Sequence, residues 1–94
     1  MSNYEKGRRR EYRVQQILER AGYQTIRAAS SKGCVDVVAV RQGSVRLISV
    51  KSGGAYASGV EREQLLALTP ACDGVSIEIW RFPERCREPL IEVL

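Results

Sequence analysis

The chain has 94 residues, 44% of them apolar, enough for one small packed domain and too few for two. Lysine and arginine number 15 against 11 acidic residues, a net charge of +4 with a pI near 9.3, a balance that leans toward a polyanionic partner. Histidine is absent, which excludes a Ser-His-Asp triad, a histidine general base and the common histidine-rich zinc sites, so acid-base or metal chemistry falls to carboxylates and lysine.

The first helix is expected from Asn3 to about Ala21, because Val14, Ile17, Leu18 and Ala21 recur at helical spacing and Gly22 follows as a stop signal. Glu11 shares that stripe with Val14 and Leu18, so its carboxylate leans toward the packed side. Lys6, Arg8, Arg9, Arg10 and Arg13 crowd the first half of the helix into a basic face, which reads either as solvated surface or as a seat for phosphates. Tyr23 to Ala28 reads as a strand, and Ala29 to Gly33 as a polar connection.

Cys34 to Arg41 is apolar on both faces, which predicts a central strand. Gln42-Gly43 then reverses the chain into a strand from Val45 to Ser52, making an antiparallel hairpin. After a glycine-rich loop, Glu61 to Cys72 has Leu65, Leu66 and Leu68 at spacings compatible with a second helix. Val75 to Phe82 alternates, with Val75, Ile77 and Ile79 on one face, and Leu90 to Val93 is a short last strand. The predicted order is α-β-β-β-α-β-β, an α/β fold with helices flanking a mixed sheet. Cys34, Cys72 and Cys86 form no close pair and read as packing or surface thiols. No long apolar run and no leader-like start is evident, so a cytoplasmic protein without membrane contact is expected.

Chemistry concentrates in the hairpin. Asp36 stands between Val35 and Val37, where an unpaired charge is costly. Ser49 and Lys51 share a face of the next strand and point the same way across from it. A carboxylate and an ammonium converging there fit a buried ion pair. They also fit a divalent-metal site in which Asp36 binds the ion and Lys51 lies near a scissile phosphate.

Val35-Asp36 followed by Ser49-Val50-Lys51 resembles the PD-(D/E)XK nuclease signature. Over roughly its first 70 residues the chain resembles archaeal and phage Holliday-junction resolvases. The resemblance is carried by Lys6-Gly7-Arg8 and Glu11, Gly22-Tyr23 and Arg27, Ser30-Ser31, Asp36 to Val40, Ser49 to Ser52, and Glu63-Gln64. It implies a restriction-endonuclease-like fold with a five-stranded sheet, a homodimer, symmetric cutting of four-way DNA junctions, and Mg2+, with Mn2+ as a substitute. It further implies that Glu11, Asp36 and Lys51 are the active-site acid, the metal aspartate and the catalytic lysine. Ser30 or Ser31 would be the serine of a loop that approaches DNA, where Arg27 and Lys32 would join the basic helix in contacting the strand.

One departure is plain: the family's second metal carboxylate, two residues before the lysine, is Ser49 here, and a neutral hydroxyl is a poor ligand for magnesium. Either the chain is a degenerate DNA-binding module, or the missing acid comes from elsewhere. Glu63 at the start of the second helix is the first choice, Glu61 the second, and Glu11 a third source. A phage or repair nuclease acting on other branched DNA is the remaining enzymatic alternative.

Overall fold

The computed structural model describes residues 3–27, 35–53, 58–67 and 74–94, with side chains from Arg8 onward. The chain runs α1 (Asn3–Arg20), β1 (Gln24–Arg27), β2 (Val37–Arg41), β3 (Ser44–Ser52), α2 (Gly59–Ala67), β4 (Val75–Phe82) and β5 (Leu90–Val93), the order expected from the sequence. The strands form one sheet in the order β1-β2-β3-β4-β5. The β3–β4 pair is parallel and the other pairs are antiparallel, so the sheet is mixed. A parallel neighbour requires the chain to travel back along the sheet before pairing, and α2 lies in that crossover.

The glycine after α1 sets the entry into the sheet. Gly22 takes φ +91°, its N–H donates to the Glu19 carbonyl, and the Tyr23 N–H reaches back to the Leu18 carbonyl. This pair of bonds closes a helix end in a Schellman motif, and the apolar contact that accompanies it is supplied by Leu18 and Tyr23, both in one core cluster.

Two cores lie on opposite faces of the sheet. Val14 and Leu18 of α1 pack with Val37, Ala39, Ile48, Trp80 and Phe82. Leu65 of α2 packs with Ile77 and Ile79, joined by Val35 and Leu47. Period-two alternation explains the split: along β3, Ile48 faces α1 and Leu47 faces α2, and along β4, Trp80 and Phe82 face α1 while Ile77 and Ile79 face α2. The α2 side is further tied by a fork of two hydrogen bonds, 2.8 and 2.7 Å, from Arg62 to Glu92 of β5.

Three expectations change. β2 lies inside the sheet as expected, between β1 and β3, but its fully buried residues, Val37 and Ala39, lie on the α1 face while Val40 is exposed. The second helix begins at Gly59, two residues ahead of the expected Glu61. Of its three leucines Leu65 is buried and Leu66 exposed, and Leu68 lies outside the described residues. Ala28 to Cys34, the small-residue loop at 54–57 and Cys72 also lie outside them, and Cys86 is an exposed free thiol.

Candidate active site

The end of the sheet where β2 begins and β3 ends holds the hairpin residues singled out by the sequence. Val37 pairs with Ile48, and the Asp36 N–H also donates to the Ile48 carbonyl at 2.9 Å. Two consecutive residues thus face one, the pattern of a β-bulge, which bends the strand and re-aims a side chain. The re-aimed side chain is that of Asp36. Its Oδ2 accepts the Val50 N–H at 2.8 Å, filling the place that a backbone carbonyl of an uninterrupted β2 would take. Expected across the hairpin from Ser49 and Lys51, Asp36 has its carboxylate anchored to the β3 backbone at the strand end.

From that anchor Asp36 meets charges of both signs. Partial burial pushes its carboxyl above the ordinary value, opposed by the Val50 N–H and by the nearby Lys51 ammonium and reinforced by the Glu61 carboxylate. Lys51 is paired with Glu61 through Nζ and Oε2. Glu61 is aimed there by the cap of α2: the Ser58 hydroxyl accepts the Glu61 N–H at 3.1 Å, and the Arg62 N–H bonds the Ser58 carbonyl at 2.9 Å. Ser58-Gly59-Val60-Glu61 has the spacing of a capping box, a signal that fixes the helix start and the place of Glu61. Glu63, the preferred acid on sequence grounds, is exposed; it is Glu61 that joins Lys51 and Asp36.

Glu11 approaches Asp36 from α1. Burial raises its carboxyl, the Asp36 charge raises it further, and Arg27 lowers it. The Arg27 Nε lies 3.0 Å from Glu11 Oε1, within ion-pair range but without the alignment of a hydrogen bond, and its guanidinium lies 5.5 Å from the Tyr12 ring. Arg27, expected at the DNA, is therefore engaged with Glu11. Ser49 is 1% exposed and, among the described residues, its Oγ has no hydrogen-bond partner.

The basic residues of α1 diverge. Arg8 and Arg9 are exposed; Arg8 donates to the Tyr12 hydroxyl at 3.3 Å. Arg10 lies over the Phe82 ring at 5.2 Å, and Arg13 pairs with Glu88 at 3.2 Å. Lys6 lies on α1, but its side chain, like Ser30, Ser31 and Lys32, lies outside the described residues.

Among the described residues no three acids stand close enough to form a ready cation cage. The donors still fit magnesium in kind, because that ion keeps much of its water and is commonly held by one or two carboxylates together with substrate phosphate. Asp36 and Glu61 supply two such carboxylates beside one another.

No curated protein matches the sequence. The chain resembles the solved structure of Archaeoglobus fulgidus Hjc, a Holliday junction resolvase from an archaeal hyperthermophile. The TM-score is 0.71 at 30% identity, covering 85% of this chain and 66% of that one. The family model for archaeal Holliday junction resolvase matches residues 2–75, a span that contains Glu11, Asp36, Ser49, Lys51 and Glu61. With a match over most of its length, the chain belongs to the archaeal Holliday junction resolvase family.

Proposed function

We propose that the protein is a divalent-metal-dependent endonuclease that hydrolyses DNA phosphodiesters at four-way junctions and works as a homodimer. The observation that carries this reading is the meeting of Asp36, Lys51 and Glu61 at one end of the β2–β3 hairpin, in a family of junction resolvases.

Asp36 and Glu61 would hold the ion, Mg2+ or Mn2+, with Glu11 near enough to add negative charge. Bound there, such an ion supplies Lewis acidity and a water of lowered pKa. The protein's own part is positioning. The Val50 N–H fixes Asp36, the Ser58 cap fixes Glu61, and Glu61 holds the Lys51 ammonium at the site, where it can neutralise charge gathering on a phosphorane oxygen. In the hydrolysis one water oxygen bonds to phosphorus, one P–O bond of the backbone breaks, and the departing oxygen takes a proton. Replacement of the family's hairpin acid by Ser49 is offset in this scheme by Glu61 from α2.

A second reading has its own support. Ser49 is buried and unpaired, and Glu61 is already engaged by Lys51, which suits a DNA-binding module that has lost catalysis. Cleavage of labelled four-way junction, duplex and single strand with Mg2+ or Mn2+ separates the two. The nuclease reading expects Asp36→Asn, Lys51→Ala and Glu61→Gln to abolish cutting, Glu63→Gln to retain it, and metal-free DNA binding to survive in all. An inactive wild type with activity gained in Ser49→Glu would establish the binding module, and preference for flaps over junctions would redirect the substrate to other branched DNA.

A further inference from the structure

An open cavity of about 380 Å3 lies against the side of α1, lined by Arg9, Arg10, Tyr12, Arg13, Gln16 and Arg87. Its size is within the roughly 300–1,000 Å3 of small-molecule sites, but such sites are mostly apolar with few polar groups, whereas four of the six residues here are arginines. Five lie on α1, and Arg87 comes from the connection between β4 and β5. Two elements far apart in sequence therefore bring four guanidinium groups to one opening. Like charges gathered this way repel one another in the empty molecule and are relieved by an anion.

The charges are not spent internally. Arg13 pairs with Glu88, but in an exposed pair that contributes little. Among the described residues, Arg9, Arg10 and Arg87 have no carboxylate partner, and Arg10 is steadied by its place over Phe82. Planar guanidinium forks suit phosphate oxygens, and the Gln16 amide and Tyr12 hydroxyl extend the polar lining. Arg87 lies beyond residues 2–75, the span matched by the family model.

We propose that this arginine-lined cavity is a second phosphate-binding site, in which Arg87 and the α1 arginines, none of them part of the Asp36, Lys51 and Glu61 group, seat a backbone phosphate of a DNA arm. The assignment rests on the protein's being a DNA-binding member of its family. Glu88 opposes it by holding Arg13, so the site is strengthened when that acid is removed.

The test is equilibrium binding of a labelled four-way junction, without metal, over a series of salt concentrations. Wild type, Arg87→Ala and Glu88→Gln are compared, with inorganic phosphate as a separate ligand in thermal denaturation. Removing one neutralised phosphate from the interface with duplex DNA lowers the salt slope by about 0.9. Arg87→Ala is expected to show that decrease with several-fold weaker binding, and Glu88→Gln tighter binding. Wild-type binding with the same affinity and slope in Arg87→Ala would overturn the proposal while leaving the nuclease reading intact. Stabilisation by inorganic phosphate that requires Arg87, with junction binding unaltered, would assign the cavity to a free anion and also overturn it. Absence of any DNA binding by the wild type would instead remove the reading on which the assignment rests.

Discussion

Two acids, Glu78 of β4 and Asp36 just before β2, sit in contrasting environments. Glu78 is 2% exposed, and burial alone would raise its carboxyl. Two hydrogen bonds from Arg46, at 2.7 and 2.6 Å, one from Ser76 at 2.5 Å and one from the Trp80 indole at 2.8 Å turn the balance and hold it below the ordinary value. Arg46 is itself stacked near the rings of Tyr23 and Trp80, each at 5.4 Å. Asp36 receives the Val50 N–H and stays above its ordinary value, raised by burial and by the nearby Glu61, an environment that suits the proposed cation site. Glu78 carries a sign-definite consequence. Its folded pKa lies below its unfolded value near 4.5, so the unfolded state binds more protons in the interval between them. The stability it contributes is complete above 4.5 and is lost as pH falls through the folded value. Glu78→Gln is expected to cost about 3–5 kcal/mol at pH 7 by stranding the Arg46 charge, a deficit that shrinks on acidification. Urea unfolding at pH 7 and at successively lower pH measures it; equal midpoints at pH 7 would show the network to be replaceable by a neutral one.

At the level of elements, the site depends on how α2 begins. Ser58→Ala removes the hydroxyl that accepts the Glu61 N–H, a loss worth about 1 kcal/mol, and loosens the turn that carries Glu61 to Lys51. Cleavage is expected to fall in Ser58→Ala and to recover in Ser58→Asp, an equally good cap. Wild-type rates in the alanine variant would mean that Glu61 is placed by its ion pair alone. The same helix start marks where the sequence was legible and where it was not. Alternation made β3 and β4 readable, Gly22 marked the end of α1, and Gln42-Gly43 marked the hairpin, because these signals are local and each has one dominant physical meaning. The choice between Glu61 and Glu63 needed the helix phase. Leu65 and Leu66 fix that phase weakly, whereas the Ser58-Gly59-Val60-Glu61 cap fixes it well. The bulge at Asp36 had no local mark at all, since no glycine announces it and it exists only in the pairing of Val37 and Asp36 with one residue of β3. Likewise the apolar run of β2 marked an interior strand, but that Val40 is left exposed depends on what covers each face of the sheet, a long-range matter.

Across the whole molecule, acids gather at the hairpin end and arginines spread over α1, and the proposed function assigns cutting to the first and holding of DNA to the second. Arg8→Ala with Arg9→Ala is expected to lower the salt slope of metal-free DNA binding by about 0.9 for each phosphate no longer neutralised. Arg10 is a poorer probe because it also covers Phe82, and an unchanged slope in the double variant would reduce the basic helix to a solvated face. The proposed homodimer has its argument in the number of cuts. One proposed hairpin site would carry chemistry for one strand, while resolving a junction requires two opposed cuts, most simply made by two copies about a two-fold axis. Mixing gives a quantitative check. If wild type and Asp36→Asn are unfolded together in equal amounts and refolded, random pairing leaves roughly one quarter of dimers with two working sites and roughly one half with one. On a supercoiled plasmid that extrudes a four-way junction, paired cuts linearise the circle and a single cut only nicks it. Linear product is therefore expected to fall with the square of the wild-type fraction while nicked circle accumulates. Linear product falling in simple proportion, with no rise in nicked circle, would mean that each copy acts alone, and the homodimer would have to be abandoned.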